Sequence, residues 1–344
     1  MVTLSHVQSS NAQIATTLPP GLVAVFVGAT NGIGEYSLKE FARHAKKPRV
    51  YFVGRSQEAG DRIAGECREL NSEGEFIFIK ADVSLLKNVD DVCRQLQRKE
   101  KTINLLFLTC GSALAHVGPE GLHIFMALAY YARARFIVNL LPLLRQAPSL
   151  RRVVTVMAAG HEGPIHTNDF QSRNIPWSRV RGHNVSMIDM MHEHMVDRAP
   201  EVSFVHDYPG PVKSGFGRET NGVLVRIAIT AFKMVGPLIY IPSRESGERH
   251  LFFATSARYP PRAGAETKEA AGVPIPADMS VAGGTDGQKA SGVYAVHWDG
   301  ESAGAKSLKM LARLRNKDMV KQVWEHTISE FQRVTGSESL DQDE

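Results

Sequence analysis

Three glycines spaced Gly28-x-x-x-Gly32-x-Gly34 are the residues in this chain best placed to do chemistry. Glycine lets a backbone come close to a pyrophosphate, and a helix that starts at such a turn offers unpaired N–H groups and the positive end of its dipole. The surroundings fit on both sides. An apolar, β-branched run at 22–27 reads as a buried parallel strand, and a helix follows from Ile33 with Tyr36, Leu38 and Phe41 on its inner side. A second apolar run, 50–53, ends in Gly54, Arg55 and Ser56. An acidic residue at that place would hold the ribose hydroxyls of NAD, and here there is none. Arg55 offers a planar cation suited to a 2′-phosphate, which favours NADP(H). Asp82 follows a third strand, 76–80, where a carboxylate can accept the adenine amino group.

The elements that must position these residues alternate along the chain. Helices are expected at 57–70, 89–99, 120–144 and 182–199, and strands at 103–108, 152–158, 202–205 and 293–298, with a C-terminal helix at 305–334. Such alternation argues for an α/β fold, a Rossmann-type doubly wound parallel sheet with helices on both faces. Ligands of these sheets bind beyond the carboxyl ends of the strands. One rim then carries Gly28, Gly32, Gly34, Arg55, Asp82, the turn Thr109-Cys110-Gly111-Ser112, residues 158–161 and residues 207–214. Residues 1–20 read as a poorly ordered arm, 21–260 as the main domain with a lid at about 211–245, and 261–344 as a loop, last strand and helix of the same domain. The stretch 258–291, rich in Pro, Gly and Ala, reads as a surface loop. Arg133 and Arg135 on the long helix are expected to be solvated or paired at its edges.

The chain has 344 residues, a 43% apolar fraction and a formal charge of +4, without a basic tract, so nucleic acid is excluded as a partner. Cys67, Cys93 and Cys110 are too scattered for a disulfide framework or a zinc site. His192 and His194 bracket Glu193 at a spacing that turns them to different helix faces, so no metal is expected. The N-terminus lacks the apolar core of a secretory signal, and a cytoplasmic location is the expectation. The run 222–241 is long enough to span a membrane, but Arg226, Lys233 and Pro237 count against it; it reads as a lid over the substrate pocket. A membrane-surface or dimer contact is the alternative, and a homo-oligomer is compatible with the sequence.

The order GATNGIG, VGRS, KADVS and PGPVKSG resembles the short-chain dehydrogenase/reductase family, in the branch of fungal natural-product enzymes and retinol-dehydrogenase-like reductases. The resemblance covers roughly residues 20–260. It implies an NADP(H) site at Gly28, Asn31, Gly32, Ile33, Gly34, Arg55, Ser56, Asp82, Val83 and Gly111, with the cofactor's carboxamide near Pro209, Gly210 and Val212. The family's chemistry uses a Tyr-x-x-x-Lys pair, a serine and an asparagine. Counting back from Pro209-Gly210 puts Arg181 at the tyrosine position and Val185 at the lysine position. The serine position falls at or near Val156 and the asparagine position at Ala129. Residues 159–207 contain no Tyr and no Lys, and no Tyr in the chain has a Lys four residues on. His161, Glu162 and His166 lie in the loop after the fifth strand; His161 and Arg181 are the catalytic candidates, and Asp207 is a candidate for binding. Arg181 stays protonated and can bind an anion or a carbonyl but cannot serve as an acid.

Three functions are consistent with this pattern. One is an NADP(H)-dependent reductase of specialised metabolism with substituted acid chemistry, acting on an imine, an iminium or an activated alkene. Another is a redox-silent cyclase, pericyclase or isomerase on the same scaffold. The third is a non-catalytic NADP-binding subunit. In each the partner is a small molecule.

Overall fold

In a computed structural model of the chain, residues 1–213, 240–264 and 268–340 are described. Seven parallel strands lie in the order β3-β2-β1-β4-β5-β6-β7. They are β1 Val23–Val27, β2 Arg49–Gly54, β3 Glu75–Lys80, β4 Leu105–Leu108, β5 Arg152–Val156, β6 Ser203–Tyr208 and β7 Val293–His297. The order reverses at β1, which pairs β2 on one side and β4 on the other. The fold is the doubly wound Rossmann type that the alternation predicts.

The central strands are apolar on both faces because helices cover both. On one face lie α3 (Gly32–His44), α4 (Gln57–Leu70) and, further along the chain, Ser243–Thr255. On the other lie α5 (Leu86–Lys99), the long helix α6 (Ile124–Gln146) and α7 (Trp177–Arg198). The remaining helices are α1 Leu4–Ala12, α2 Ile14–Thr17, α8 Ser243–Thr255, α9 Lys268–Ala271, α10 Ala305–Arg315 and α11 Met319–Thr335. Cys67, Cys93 and Cys110 are all buried and free, and burial pushes their thiols up, to about 12 for Cys67.

Several expectations are corrected. Residues 1–20 are no loose arm. Thr3 caps α1 through the His6 N–H, and Val7, Asn11 and Ile14 are buried. Asn11 Nδ2 donates to the Glu248 carboxylate on α8 at 2.6 Å, so the docked face of α1 carries a polar anchor beside apolar Val7. The 305–334 helix is two helices, because Asp318 takes a left-handed φ of 56° before α11. The stretch 258–291 does not lie wholly on the surface: Tyr259, Val273, Ala282 and Thr285 are buried. Residues 214–239, most of the expected lid, lie outside the described residues.

Arg133 and Arg135 are fully buried rather than solvated, and of the two only Arg135 is paired with an acid, as the alternative expectation had it. Arg133 donates to the carbonyls of Leu108, Cys110 and Val156, and so ties the ends of β4 and β5. Arg135 forms a bidentate pair with Asp90 of α5, with N–O distances of 2.7 and 2.9 Å. Helix α6 opens through a π turn, Ala127–Tyr131, one turn before these arginines. Among the described residues α6 is long and apolar enough to cross a membrane, but it is mostly buried inside the protein and carries this ion pair.

Candidate functional site

The glycine turn requires glycine for steric reasons. Gly28 has φ 83°, and a Cβ there would sit 2.7 Å from the Cys110 backbone nitrogen. At Gly34 a Cβ would sit 2.6 Å from Thr109 Oγ1 and 2.8 Å from the Gly28 oxygen. Gly32 has φ 60° and starts α3, with extended Asn31 before it. The turn therefore packs on the end of β4, and Thr109 Oγ1 locks it by donating to the carbonyls of Val27 and Gly28. These contacts leave the start of α3 as the cradle where a pyrophosphate fits. Ile33 packs partly buried behind it.

Arg55 and Asp82 share the walls of two adjoining clefts at the ends of β2 and β3, of about 510 and 240 Å³. Arg55 is exposed, and Ser56 caps α4 through the Ala59 N–H. Asp82 is also exposed, and its Oδ1 accepts from the Ser84 N–H. Val83 is buried beneath, and Ser112 joins the wall of the smaller cleft. Gly111 is exposed, and a Cβ added there would meet no atom within 4 Å, so nothing in its packing demands glycine. The residues that would hold a nicotinamide dinucleotide are those of the glycine turn with Arg55, Ser56, Asp82 and Val83.

At the far end of the rim, Gly210 has φ 70° and packs on Ile241 and Trp298. Val212 is buried and bridges Ile241, and Lys213 offers its carbonyl to the Tyr36 hydroxyl of α3. The segment from Pro209 to Lys213 is thereby fastened beside the helix that starts at the glycine turn.

Between the two ends sit the catalytic candidates. Arg181, on the first half of α7, is exposed, and its guanidinium carbon lies 5.3 Å from the centre of the Tyr208 ring. His161 packs edge-on against the same ring at 4.9 Å. Its Nδ1 faces the carbonyls of Ala158 and Ala159 at 3.2 and 3.3 Å, so Nδ1 carries the proton and Nε2 is an acceptor. Burial, with Arg181 nearby, holds the imidazole below its ordinary pKa and therefore neutral. His297 of β7 completes the group at 6.2 Å from Tyr208. The structure thus brings His161 and Arg181 together.

Tyr208 is the residue that sequence reasoning missed. It lies one residue beyond the window 159–207, on a strand rather than on α7. Its signal was available, since it directly precedes Pro209-Gly210. Asp207 is corrected: it is buried and faces His250 of α8 at 3.0 Å, away from the rim. Glu162 is also turned inward, and His166 is engaged through its backbone with His183. Val156 belongs to the α3/α8 side of the sheet, whereas Thr155 faces α7 and meets His192 at 3.2 Å. Ala129 and Val185 are buried. His192 meets Thr155, and His194 stacks on Trp324 at 4.2 Å, so the two histidines do not converge.

Residues 22–165 match the family described as short chain dehydrogenase. An oxidoreductase of Emericella nidulans is 38% identical over 96% of this chain and 98% of its own. The oxidoreductase andH of Emericella variicolor is 35% identical over 98% of this chain and 99% of its own. The short-chain dehydrogenase/reductase SAT2 of Stachybotrys chartarum is 29% identical over 90% of this chain and 92% of its own. Among solved structures, L-sorbose reductase of Gluconobacter frateurii, complexed with NADPH and L-sorbose, superposes with a TM-score of 0.53 at 15% identity, covering 69% of this chain and 91% of that one. With the seven-stranded sheet, the glycine cradle and relatives alike over nearly their whole length, this chain belongs to the short-chain dehydrogenase/reductase family.

Proposed function

We propose that the chain is an NADP(H)-dependent reductase of specialised metabolism that delivers hydride to an imine, an iminium or an activated alkene. Tyr208 supplies the proton where the product needs one. The observation that carries this reading is the meeting of Tyr208, Arg181 and His161 at the rim, one residue before Pro209. The Tyr-x-x-x-Lys motif combines a phenol with a cation; here Arg181, from a helix, lies over the ring of Tyr208, from a strand end. Arg55 supports NADP(H) over NAD(H), because no carboxylate follows β2 to hold ribose hydroxyls. General acid catalysis contributes roughly 10²–10⁴-fold. A substrate that is already cationic needs none of it, whereas a neutral imine does.

The test uses two probes with deuteride-labelled NADPH: 2-methyl-1-pyrroline, assayed at a pH above the pKa of its conjugate acid so that it is a neutral imine, and its N-methylated iminium. The protein is expected to place one deuterium in each product for each NADPH oxidised. Tyr208→Phe should slow the neutral imine by roughly 10²-fold or more and leave the iminium within a few-fold. Product formed without NADPH consumption would favour a redox-silent enzyme. Cyclohexanone reduced faster than either probe would overturn the substrate class.

A further inference from the structure

Beneath the rim, three buried ionisable groups form a chain that the proposed reaction does not use. His206 on β6 and Asp189 on α7 are fully buried, and Glu162, in the loop after β5, is only 9% exposed. His206 Nδ1 lies 2.7 Å from Asp189 Oδ1. The Ala158 N–H points at His206 Nε2 from 3.5 Å, so Nε2 is the bare nitrogen and Nδ1 donates to Asp189. Asp189 in turn is hydrogen-bonded to Glu162. Glu162 Oε1 accepts the Gly160 N–H at 2.7 Å.

The accounting leaves two oxygens over. Asp189 Oδ2 and Glu162 Oε2 are both buried and find no donor. A carboxylate cannot donate to a carboxylate, so a hydrogen bond between these side chains requires a proton on one of them. Apart from His206, which donates to its Oδ1, the ionisable groups acting on Asp189 are acidic: Glu162 from the loop and Glu193 one turn along α7. His206 is held neutral by burial, and His192 behind it likewise. Arg133 of α6 and Asp207 of β6 act on His206 with opposite signs. Among the described residues no cation bonds either carboxylate.

We propose that Glu162 and Asp189 share one buried proton, and that this proton fixes the loop 158–163 so that His161 stays packed on Tyr208. The loop's other fastenings are on α7: the Gly163 N–H donates to the Gly182 carbonyl and to Ser186 Oγ, and Ser186 Oγ donates to the Gly163 carbonyl. His161 directly precedes these two points of attachment, Glu162 and Gly163. Asp189 is a positioning residue, acting on the rim through Glu162. Removing the proton would set two carboxylates against each other in a dry site, and Glu162, on the loop, is the one free to swing out and carry His161 with it.

Infrared spectroscopy of the whole protein in D2O at pH 7 tests this without knowledge of the substrate. A protonated carboxyl absorbs above the carboxylate and amide bands, and the wild type should show such a band that is lost in both Asp189→Asn and Glu162→Gln. Either amide can supply the missing hydrogen-bond donor, so both variants should fold. Amide exchange in residues 158–163 is the second readout. Raised pH should remove the band and, together with it, the wild type's protection beyond the intrinsic rise in exchange rate, while Asp189→Asn keeps its protection. A wild type without the band, or a band surviving in both variants, overturns the proposal. So does protection that falls identically in wild type and Asp189→Asn.

Discussion

The two ends of the rim are held rigid by opposite means. At the nucleotide end, backbone approaches backbone: Gly28 and Gly34 leave no room for a Cβ against the end of β4. Charges there, Arg55 and Asp82, are exposed. At the other end the side chains are large and the ionisable groups lie underneath, with His192, Asp189, His206 and Asp207 all fully buried. One end is shaped by the absence of side chains and the other by the hydrogen-bonding of side chains that water cannot reach. The first arrangement should be sensitive to volume, and the second to pH.

Acid should produce the largest effect and separate the two ends most sharply. His194, His206 and His326 are pushed down to about 4 by burial. Unfolded, each takes up a proton near pH 6.5, so between 6.5 and 4 the unfolded chain binds more protons and stability falls as the pH falls. Asp189 and Glu193, raised by burial, act in the other direction, because their stabilising contribution is lost as pH rises; they are outnumbered by these histidines together with His192, which burial lowers likewise. Hydrogen exchange at pH 4.5 should therefore show α7 and β6 losing protection before β1, β2 and β3. Simultaneous loss would mean that the ends are not energetically distinct.

Volume should do the reverse. Gly28→Val adds a side chain where φ is 83° and a Cβ already overlaps the Cys110 backbone. Left-handed strain of about 1–2 kcal/mol and overpacking of about 1–3 kcal/mol should displace the turn, and restoring it for the cofactor should weaken NADPH binding by roughly 30-fold to 4 × 10³-fold, read by calorimetry. Arg55→Ala is milder. Losing charge-assisted bonds to a 2′-phosphate costs about 1.5–3 kcal/mol, so NADPH should weaken roughly tenfold or more while NADH is nearly unchanged. Equal affinity of the unmutated protein for both cofactors would remove the basis for NADP(H). Smallest of all should be Arg181→Ala, an exposed change at the other end. It should leave NADPH affinity within about twofold and stability within about 0.5 kcal/mol.

What could be read in the sequence follows the same division. The glycine turn, α4 and the strand after it depend on neighbours in the chain, and α4 runs over the residues that periodicity predicts, Gln57–Leu70. Parts that depend on distant partners were read less well. Arg133 looks solvated until the carbonyls of β4 and β5 are placed around it. Helix α1 looks like a loose polar arm until α8 supplies Glu248 for Asn11. The break at Asp318 leaves no mark on the apolar pattern, which continues on both sides of it. The missing Tyr-x-x-x-Lys pair was legible as a gap. What lies beside Arg181 was not, because Tyr208 comes to it from a strand, and helical spacing carries no information about that.

The three cysteines have a practical consequence. Each thiol is shut away from solvent and held in its unreactive protonated form. Maleimide and iodoacetamide reagents should pass the folded protein by, and preparations should tolerate air without added reductant. A cysteine introduced at an exposed position such as Pro164 would then be the sole site of labelling, so that a fluorophore or spin label could be set near His161 on an otherwise native background.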